Sequence, residues 1–429
     1  MIGAIARAHG DASDLIARLQ PYQRRALDDI AACATPACGM HTEICDACGD
    51  ARLAPNTCGN RACPHCQGAD RAAWVADRAR ELLPGIGFFH AVFTVPPAIS
   101  RLARAFPRVV LDALLRASAD AVLGLCRDAD RLGAEVGLVE VLHTWTRDLR
   151  WMPHVHQIVT AGGWDDANHR WVAAKRQGVS QRPFLLPLPV LRAAYQRRFM
   201  RCLLDAYEHG GFDDAASMFP ELASLPVFRR HLAALTRRQW CIRIEPPFGS
   251  PEVLLKYLGA YINRVAISPR RIVAHDPAAN AGTGSVTWTY ATNAEPDQIR
   301  TRVVTGTAFL AAFAQHILPP RLVRIRFRGL WCTAHRRTKL DRARAWLGAQ
   351  PVPAPPDPPP PPPPPPPQPS PASSPEPDPR RRCPVCGRGS YQRQPGPCPR
   401  PSRQERRHLL MEIRAQERAV TPVEGHATV

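Results

Sequence analysis

Two histidines separated by a single residue, His154 and His156, lie in a run typical of a β-strand, HVHQIVTAG (154–162). Because side chains alternate across a strand, both imidazoles point to the same face and form a platform for a metal ion. By itself such a pair is more often two ordinary surface or core histidines. His143, on the preceding strand-like run VGLVEVLHTW (136–145), is either a further ligand, a neighbour of the ligands or a buried structural histidine.

Two tyrosines, Tyr257 and Tyr261, follow the helix-start signal Ser-Pro-Glu. Residues four apart share a helix face, so the two phenols are predicted neighbours. A phenol can attack a phosphodiester to give a covalent phosphotyrosine, and a divalent ion at the histidines would polarise the phosphate. Imidazole suits Mn²⁺ or Zn²⁺ and cellular abundance favours Mg²⁺, so we expect Mg²⁺ or Mn²⁺. Lys256 and Arg264 add positive charge and are expected to contact DNA. The alternative is an aromatic pair within the core.

The cysteines form two CxxC motifs, Cys45–Cys48 and Cys63–Cys66, separated by residues 49–62. Each motif turns both sulfurs toward one ion, so the two together are predicted to complete a tetrahedral structural zinc site. Further candidate ligands lie nearby: Cys33, Cys38, His41, Cys58 and His65. Of these, Cys33, His41 and Cys58 are candidates for a second zinc site. The alternative is that the extra cysteines pack as small hydrophobic residues.

The elements that must position these residues follow from hydrophobic periodicity. Strands are predicted at FFHAVFTVP (88–96), at 136–145 and 154–162 as a hairpin, and at 240–246. Helices are predicted over 14–32, 107–132 and 189–209. The two CxxC motifs predict a zinc-ribbon-like module at the N-terminus, ahead of these strands and helices.

The composition changes abruptly at Pro351. Residues 351–380 are dominated by proline, with an unbroken run from Pro358 to Pro367, which predicts an extended polyproline II spacer. The remaining chain carries one more CxxC, Cys383–Cys386, many arginines and a predicted short helix over 402–418. This CxxC is half a zinc site. The region is expected to be a basic tail that is either disordered and solvated or in nonspecific contact with phosphates.

The bulk composition favours a polyanionic partner. Lysine and arginine total 56 against 37 acidic residues, a formal net charge of +19, which favours nucleic acid ahead of an acidic membrane. The N-terminus has no secretory signal, and no apolar run reaches membrane-spanning length. We therefore expect a cytoplasmic protein without membrane association, in which the 14 cysteines mainly serve metal binding.

Taken together, these motifs resemble those of the two-tyrosine HUH transposases of the insertion-sequence 91 family, which move by rolling-circle transposition. The matching segments are GMHTEICDACG, NTCGNRACPHCQ, FFHAVFTVP, LHTW, PHVHQIVTAGG, PPFGSPEVLLKYLGAYINRVAIS and HILPPRLVRIRFRGL. The resemblance implies nicking and transfer of single-stranded DNA at transposon ends and target sites. It also implies that His154 and His156 bind the catalytic metal and that Tyr257 and Tyr261 are nucleophiles. The fold it implies is α+β, with the zinc-ribbon-like module followed by an HUH-endonuclease antiparallel sheet flanked by helices.

Five residues, at four sites, depart from the pattern expected for this family. Ala62 occupies a place where a histidine is expected in the zinc region, and Asn263 replaces a histidine after the second tyrosine. Thr146-Arg147 replaces Gly-Gln after LHTW, and Met152 replaces a histidine-like residue before the HUH motif. These departures are compatible with either a diverged active copy or a decaying one.

The resemblance and the composition together predict four regions. They are a zinc-binding domain (14–102), a catalytic HUH domain (103–345), a proline-rich linker (346–382) and a basic C-terminal tail (383–429). A replication initiator or relaxase would share the chemistry, and a catalytically inactive DNA-binding derivative would share the fold. The sequence leaves the oligomeric state, the DNA sequences and the order of the tyrosines open.

Overall fold

The computed structural model describes residues 1–66, 83–177, 182–213, 218–237, 240–248, 265–280, 282–292, 295, 297–349, 382–394 and 400–420. The helices are α1 (Ile2–His9), α2 (Ser13–Arg18), α3 (Pro21–Ala32), α4 (Pro97–Ala105), α5 (Pro107–Arg127), α6 (Leu188–Glu208), α7 (Leu225–Thr236), α8 (Gly306–Ala314), α9 (Lys339–Ala349) and α10 (Arg403–Val420). The longer strands are β1 (Met40–Cys45), β2 (Ala51–Pro55), β3 (Phe88–Thr94), β4 (Gly137–Trp145), β5 (Trp151–Thr160), β10 (Ile242–Phe248), β11 (Ile272–Asp276), β12 (Ser285–Tyr290), β13 (Arg300–Val304) and β14 (Ile325–Gly329). The short ones are β6 (Gly162–Asp165), β7 (Arg170–Ala173), β8 (Arg176–Gln177), β9 (Arg182–Pro183) and β15 (Tyr391–Arg393).

A five-stranded sheet forms the centre of the molecule, in the order β10-β3-β5-β4-β14. Each neighbouring pair is antiparallel, and β5 is the middle strand. The predicted hairpin of β4 and β5 is confirmed, with a turn at residues 146–150. The expected strand at 88–96 is β3, which pairs along its length with β5. The fold is therefore mixed helix and antiparallel sheet, as predicted.

Side-chain alternation gives this sheet two different faces. Phe89, Phe93 and Val155 lie on the face that packs against α5 and α6, in the largest apolar core. On the opposite face, Phe88 and Ile158 belong to a smaller core closed by Trp331 and α9, among others. The histidines share the parity of the second set, so they lie on that opposite face, beyond the end of the smaller core.

A second core joins both ends of the described chain. The helices α1 and α3 pack with α8 and with the three-stranded sheet β11-β12-β13 around Trp288 and Phe313. Leu410 of α10 is buried in the same core. Trp145, at the end of β4, also belongs to it, so this core adjoins the central sheet close to the histidines.

The C-terminal residues 382–394 and 400–420 are folded against the N-terminal region, in contrast to the disordered tail expected. Strand β15 adds to β1, giving a sheet in the order β15-β1-β2. Helix α10 is the short helix predicted over 402–418, and Arg7–Glu417 and Arg406–Asp29 ion pairs hold it on α1 and α3. The reason lies in the tertiary structure. One edge of β1 pairs with β2, and its other edge is open to pairing with a further strand, which is β15.

Other expectations fall outside the described residues. The proline-rich residues 351–381 are among them, so the polyproline II spacer stays a prediction. The four domain boundaries also stay predictions, although β3, from within 14–102, is an inner strand of the central sheet. Among the described residues, no helix combines the length and the apolar character needed to cross a membrane.

Candidate metal centre and cysteine clusters

Three histidines meet on the face of the central sheet that is opposite the largest core. The side-chain nitrogens of His143, His154 and His156 all lie within 4.8 Å of one another. His143 and His154 are directly opposite in the β4–β5 ladder, and His156 follows two residues later on the same face. The ring centroids of His143 and His156 are 4.7 Å apart. The structure thus brings the predicted pair and the additional candidate together.

The orientation of His154 is set by the backbone. Its Nδ1 lies 2.8 Å from the carbonyl oxygen of Met152, so Nδ1 carries the proton and Nε2 is left with its lone pair. Burial lowers the pKa of His154, with a smaller opposing effect from this hydrogen bond. The ring is therefore kept neutral, which is the form that binds a metal ion.

A histidine that the sequence analysis did not single out, His90 on β3, orients His156. His90 Nε2 lies 2.9 Å from His156 Nδ1, and His90 Nδ1 lies 2.9 Å from Oε2 of Glu245 on β10. The His90 and His156 rings are almost parallel, at 2° and 5.1 Å between centroids. The hydrogen bond from His90 is the main cause that lowers the pKa of Glu245.

These contacts are consistent with one arrangement of protons. The Glu245 carboxylate accepts the Nδ1 proton of His90, and His90 Nε2 then accepts the Nδ1 proton of His156. In this arrangement His156 is the tautomer that carries its proton on Nδ1. Carboxylate-supported histidines are common behind metal ligands, because the partner fixes the tautomer and the ring. Strand alternation in FFHAVFTVP places His90 on a defined face of β3. The sequence did not show that β3 pairs with the strand that carries His156, so this role of His90 could not be predicted.

This donor set fits a divalent transition metal. Three neutral imidazoles on one face would supply three ligands and leave positions for other oxygen donors. The predicted nucleophiles Tyr257 and Tyr261, with Lys256 and Arg264, lie outside the described residues. The described chain stops at Phe248, three residues after Glu245, and resumes at Val265, which lines a cavity together with Trp145.

The cysteines form two groups of four, in a grouping different from the predicted one. One group is Cys33, Cys58, Cys63 and Cys66, and the other is Cys45, Cys48, Cys383 and Cys386. The two N-terminal CxxC motifs therefore do not converge on each other. The physical reason is the β1–β2 hairpin, which directs the first motif toward β15 at the other edge of β1.

The group around Cys66 joins the end of α3 to the loop before residue 66. Sulfur distances are 3.6 Å from Cys33 to Cys66 and 3.5 Å from Cys58 to Cys66. Backbone amides point at these sulfurs, with Gly59 N donating to Cys66 Sγ at 3.3 Å and Asn60 N to Cys58 Sγ at 3.4 Å. Such donors stabilise thiolates, the form in which cysteine binds zinc.

Two of the other candidates lie outside these groups. His41 Nε2 is 3.4 Å from Glu43 Oε1, so His41 faces a carboxylate rather than the sulfurs. Cys38 is buried, and this burial raises the pKa of its thiol. It packs in the N-terminal core as a small hydrophobic residue.

Arg61 connects the Cys66 group to the segment before β14. Its guanidinium donates to the carbonyl oxygens of Leu322 at 2.7 Å, of Leu318 at 2.8 Å and of Pro319 at 2.5 Å. Because Arg61 lies between Cys58 and Cys63, a metal ion at these cysteines would hold it in place. The Arg61 side chain therefore connects the Cys66 group to the segment that leads into β14 of the central sheet.

Comparison with known proteins places both regions in one family. The family model described as "Transposase zinc-binding domain" matches residues 5–95, and the one described as "Putative transposase" matches residues 137–339. The first covers the Cys66 group and β3, and the second covers the three histidines of the cluster. These matches define the class of the protein as a transposase with an N-terminal zinc-binding domain.

Two relatives make the assignment more specific. "Putative transposase y4qJ" of Sinorhizobium fredii is 37% identical over 333 residues, covering 77% of this chain and 79% of the relative. "Transposase for insertion sequence element IS801" of Pseudomonas savastanoi pv. phaseolicola is 32% identical over 253 residues, 58% of this chain and 57% of the relative. No solved structure matches. The chain belongs to the insertion-sequence 91 family of transposases.

Proposed function

We propose that this transposase nicks and rejoins single-stranded DNA at transposon ends and target sites through phosphotyrosine intermediates, in rolling-circle transposition. The observation that carries the proposal is the convergence of His143, His154 and His156 at one partly open site. The Nδ1 atoms of two of these rings are also held by defined partners, the Met152 carbonyl for His154 and His90 for His156, which fixes the ring orientations.

The three histidines would hold Mg²⁺ or Mn²⁺. When bound, the ion would supply positive charge to a non-bridging phosphate oxygen at the scissile bond. The protein's own part is to present and orient the imidazoles: burial lowers the pKa of His154 and so favours its neutral form, and the contact with His90 orients the His156 ring. The antiparallel sheet, with His154 and His156 on its middle strand β5 and His143 on the adjacent β4, also supports an HUH-type endonuclease fold.

Tyr257 and Tyr261 would supply the nucleophiles. In each step the phenol oxygen forms a bond to phosphorus, the bond from phosphorus to a sugar oxygen breaks, and the phenol proton ends on that departing oxygen or on solvent. Rejoining is the reverse reaction with a second sugar hydroxyl, so no external energy source is required. Two phenols allow one DNA end to stay covalently held while another is attacked.

Positive charge and aromatic surface beside the histidines support a single-stranded DNA partner. A cavity of about 390 Å³ is lined by Arg61, Arg321, Arg324 and Trp145, among others. The Trp145 ring stacks on His143 with 4.5 Å between centroids, so this cavity adjoins the histidine cluster. Arginine and aromatic side chains are the usual contacts for backbone and bases of single strands.

The test is a cleavage assay with labelled single-stranded DNA carrying the element's own ends, with Mn²⁺ or Mg²⁺. We expect a metal-dependent, protease-sensitive covalent adduct with the wild type, and none with Tyr257→Phe/Tyr261→Phe or His156→Ala. Each single tyrosine variant should retain one of the two transfer steps. Tyr290→Phe, on β12 of the small sheet, is the matched control and should behave as the wild type.

A failure would be informative. If folded, zinc-loaded wild-type protein binds these ends but forms no adduct, the proposed chemistry is wrong for this copy. The protein would then be an inactive DNA-binding derivative. Retention of the adduct in the double tyrosine variant would instead show that another residue is the nucleophile.

A further inference from the structure

The two CxxC motifs at opposite ends of the chain face each other. Cys45 Sγ lies 3.8 Å from Cys386 Sγ, and Cys48 Sγ lies 3.7 Å from Cys383 Sγ, across 335 residues of sequence for the latter pair. All four sulfurs lie within 4.8 Å of one another. A Zn–S distance of about 2.3 Å gives tetrahedron edges of about 3.8 Å between sulfurs, so this spacing suits a tetrahedral zinc ion.

The two turns have the same backbone construction. Gly49 N donates to the Cys45 carbonyl at 3.1 Å, and Gly387 N donates to the Cys383 carbonyl at 2.9 Å. Both glycines have positive φ, 74° and 64°, a conformation that L side chains rarely adopt. Each CxxC is thus closed by a glycine four residues after its first cysteine, and the two halves of the site are equivalent.

The backbones around the sulfurs also interlock. Asp46 N donates to the Ser390 carbonyl at 3.1 Å, and Ser390 N returns a hydrogen bond to Asp46 Oδ1 at 2.8 Å. Cys45 is paired with Tyr391 in the ladder of β1 and β15. The Tyr391 hydroxyl contacts Cys383 Sγ at 3.6 Å. The pairing of β1 with β15 therefore places the Tyr391 side chain against a sulfur of the second motif.

Gly389 shows how closely the two turns approach. A Cβ at this position would lie 2.5 Å from Cys45 Sγ and 2.6 Å from Ala47 Cβ, distances that a real side chain does not reach. Gly389 N also donates to Cys386 Sγ at 3.4 Å. The two turns therefore pack closely against each other, and this packing requires glycine at position 389.

We propose that Cys45, Cys48, Cys383 and Cys386 bind one zinc ion that attaches residues 382–394 and 400–420 to the N-terminal module formed by α1–α3 and the β1–β2 hairpin. This site is separate from the one formed by Cys33, Cys58, Cys63 and Cys66. Four thiolates leave no open position, so the role is structural. A disulfide is not formed here, since the sulfur separations far exceed the bond length of about 2.05 Å.

Zinc is expected to dominate this attachment because the other contacts are individually weak. Two of the remaining links, Arg7–Glu417 and Arg418–Asp11, are surface ion pairs with at least one half-exposed partner. Such pairs contribute little each. Apolar packing comes from buried Leu410, with partly buried Leu409 and Ile413 against the same core, and from Tyr391 beside the sulfurs. Without the ion, four thiols would lie close together with no shared ligand.

The first test counts zinc in the full-length chain by elemental analysis. We expect two ions per chain in the wild type and one in Cys383→Ser/Cys386→Ser. Cys45→Ser/Cys48→Ser should also lose one ion, and all four changes together should lose no more, because the pairs share a site. Cys241→Ser, an exposed cysteine outside both groups, should keep the wild-type content. Equal zinc in the wild type and Cys383→Ser/Cys386→Ser would overturn the proposal.

The second test measures attachment and does not depend on DNA cleavage. A protease site is inserted within 358–367 of the full-length chain, and the cut protein is passed over a size-exclusion column. We expect the C-terminal fragment to co-elute with the remainder and to separate after treatment with a zinc chelator. The fragment carrying Cys383→Ser/Cys386→Ser should separate without chelator. If that serine fragment co-elutes to the same extent as the wild-type fragment, zinc does not hold the C-terminal fragment on the remainder.

Discussion

At the scale of single residues, the orientation of the candidate metal ligands is set by the groups that contact their second ring nitrogen. His154 is oriented by the Met152 carbonyl and His156 by His90, which in turn is held by Glu245. The two candidate ligands of the HxH motif are therefore oriented by different groups. His154 is held by its own strand, and His156 is held by residues of β3 and β10. His90 is a positioning residue, because it acts through His156.

We predict that His90→Phe weakens Mn²⁺ binding by about 10- to 100-fold, the usual effect of losing such a supporting partner. The substitution keeps a planar ring in a buried position but removes the hydrogen bond to His156 Nδ1. Isothermal titration calorimetry would measure the Kd, and His90→Gln should recover part of the affinity. His408→Phe, at an exposed histidine on α10, is the control. An unchanged Kd in folded His90→Phe protein would show that His156 is oriented by other contacts.

At the scale of elements, the central sheet carries a buried acid between β4, β5 and β14. The Glu140 carboxyl accepts hydrogen bonds from Ser118 at 3.3 Å, Gln157 Nε2 at 3.2 Å and Arg328 Nε at 3.2 Å. Burial raises the pKa of Glu140 from 4.5 to about 7, although Arg328 opposes the shift. The sheet thus tolerates the acid best in its neutral form.

This raised pKa predicts a pH dependence of stability. Between pH 4.5 and about 7 the folded protein holds a proton on Glu140 that the unfolded chain has lost, so stability falls as pH rises through this window. The total is on the order of 3 kcal/mol. Glu140→Gln stays neutral, so its free energy of unfolding relative to the wild type should increase from pH 5 to pH 8. Urea unfolding at both pH values measures this, and a constant difference would contradict it.

At the scale of the whole molecule, the two ends of the chain build one module. Strand β15 extends the β1–β2 sheet, and α10 covers α1 and α3, which themselves pack on α8 beside the central sheet. Arg61 adds a second link, from the Cys66 group to the segment before β14. The zinc-binding region therefore contacts the rest of the fold in two places, through the core shared with α8 and through Arg61.

We predict that deleting residues 382–429 loosens α1 while leaving the central sheet intact. The deletion removes the Arg7–Glu417 ion pair and uncovers the surface against which Leu410 packs. Hydrogen exchange should become faster in Ile2–His9 and stay unchanged in β4 and β5. Deleting only 421–429 is the control and should change neither region. Unaltered exchange in α1 would mean that α10 contributes nothing to its stability.

The sequence by itself determined the parts of this protein that depend on short-range periodicity. The β4–β5 hairpin, the placement of His154 and His156 on one face, the helix α10 and the CxxC turns all follow from spacings of two to four residues. Such spacings are local geometry, which holds in any tertiary context. The resemblance to the insertion-sequence 91 family also followed from these motifs in order.

Only the tertiary structure decided which distant segments meet. It paired Cys45 with Cys386 rather than with Cys63, and it set His90 between His156 and Glu245. Each CxxC offers two sulfurs and is equally suited to any other pair, so spacing alone cannot select its partner. That choice depends on strand order and register, which are set by the burial of whole sheet faces and edges far apart in the chain.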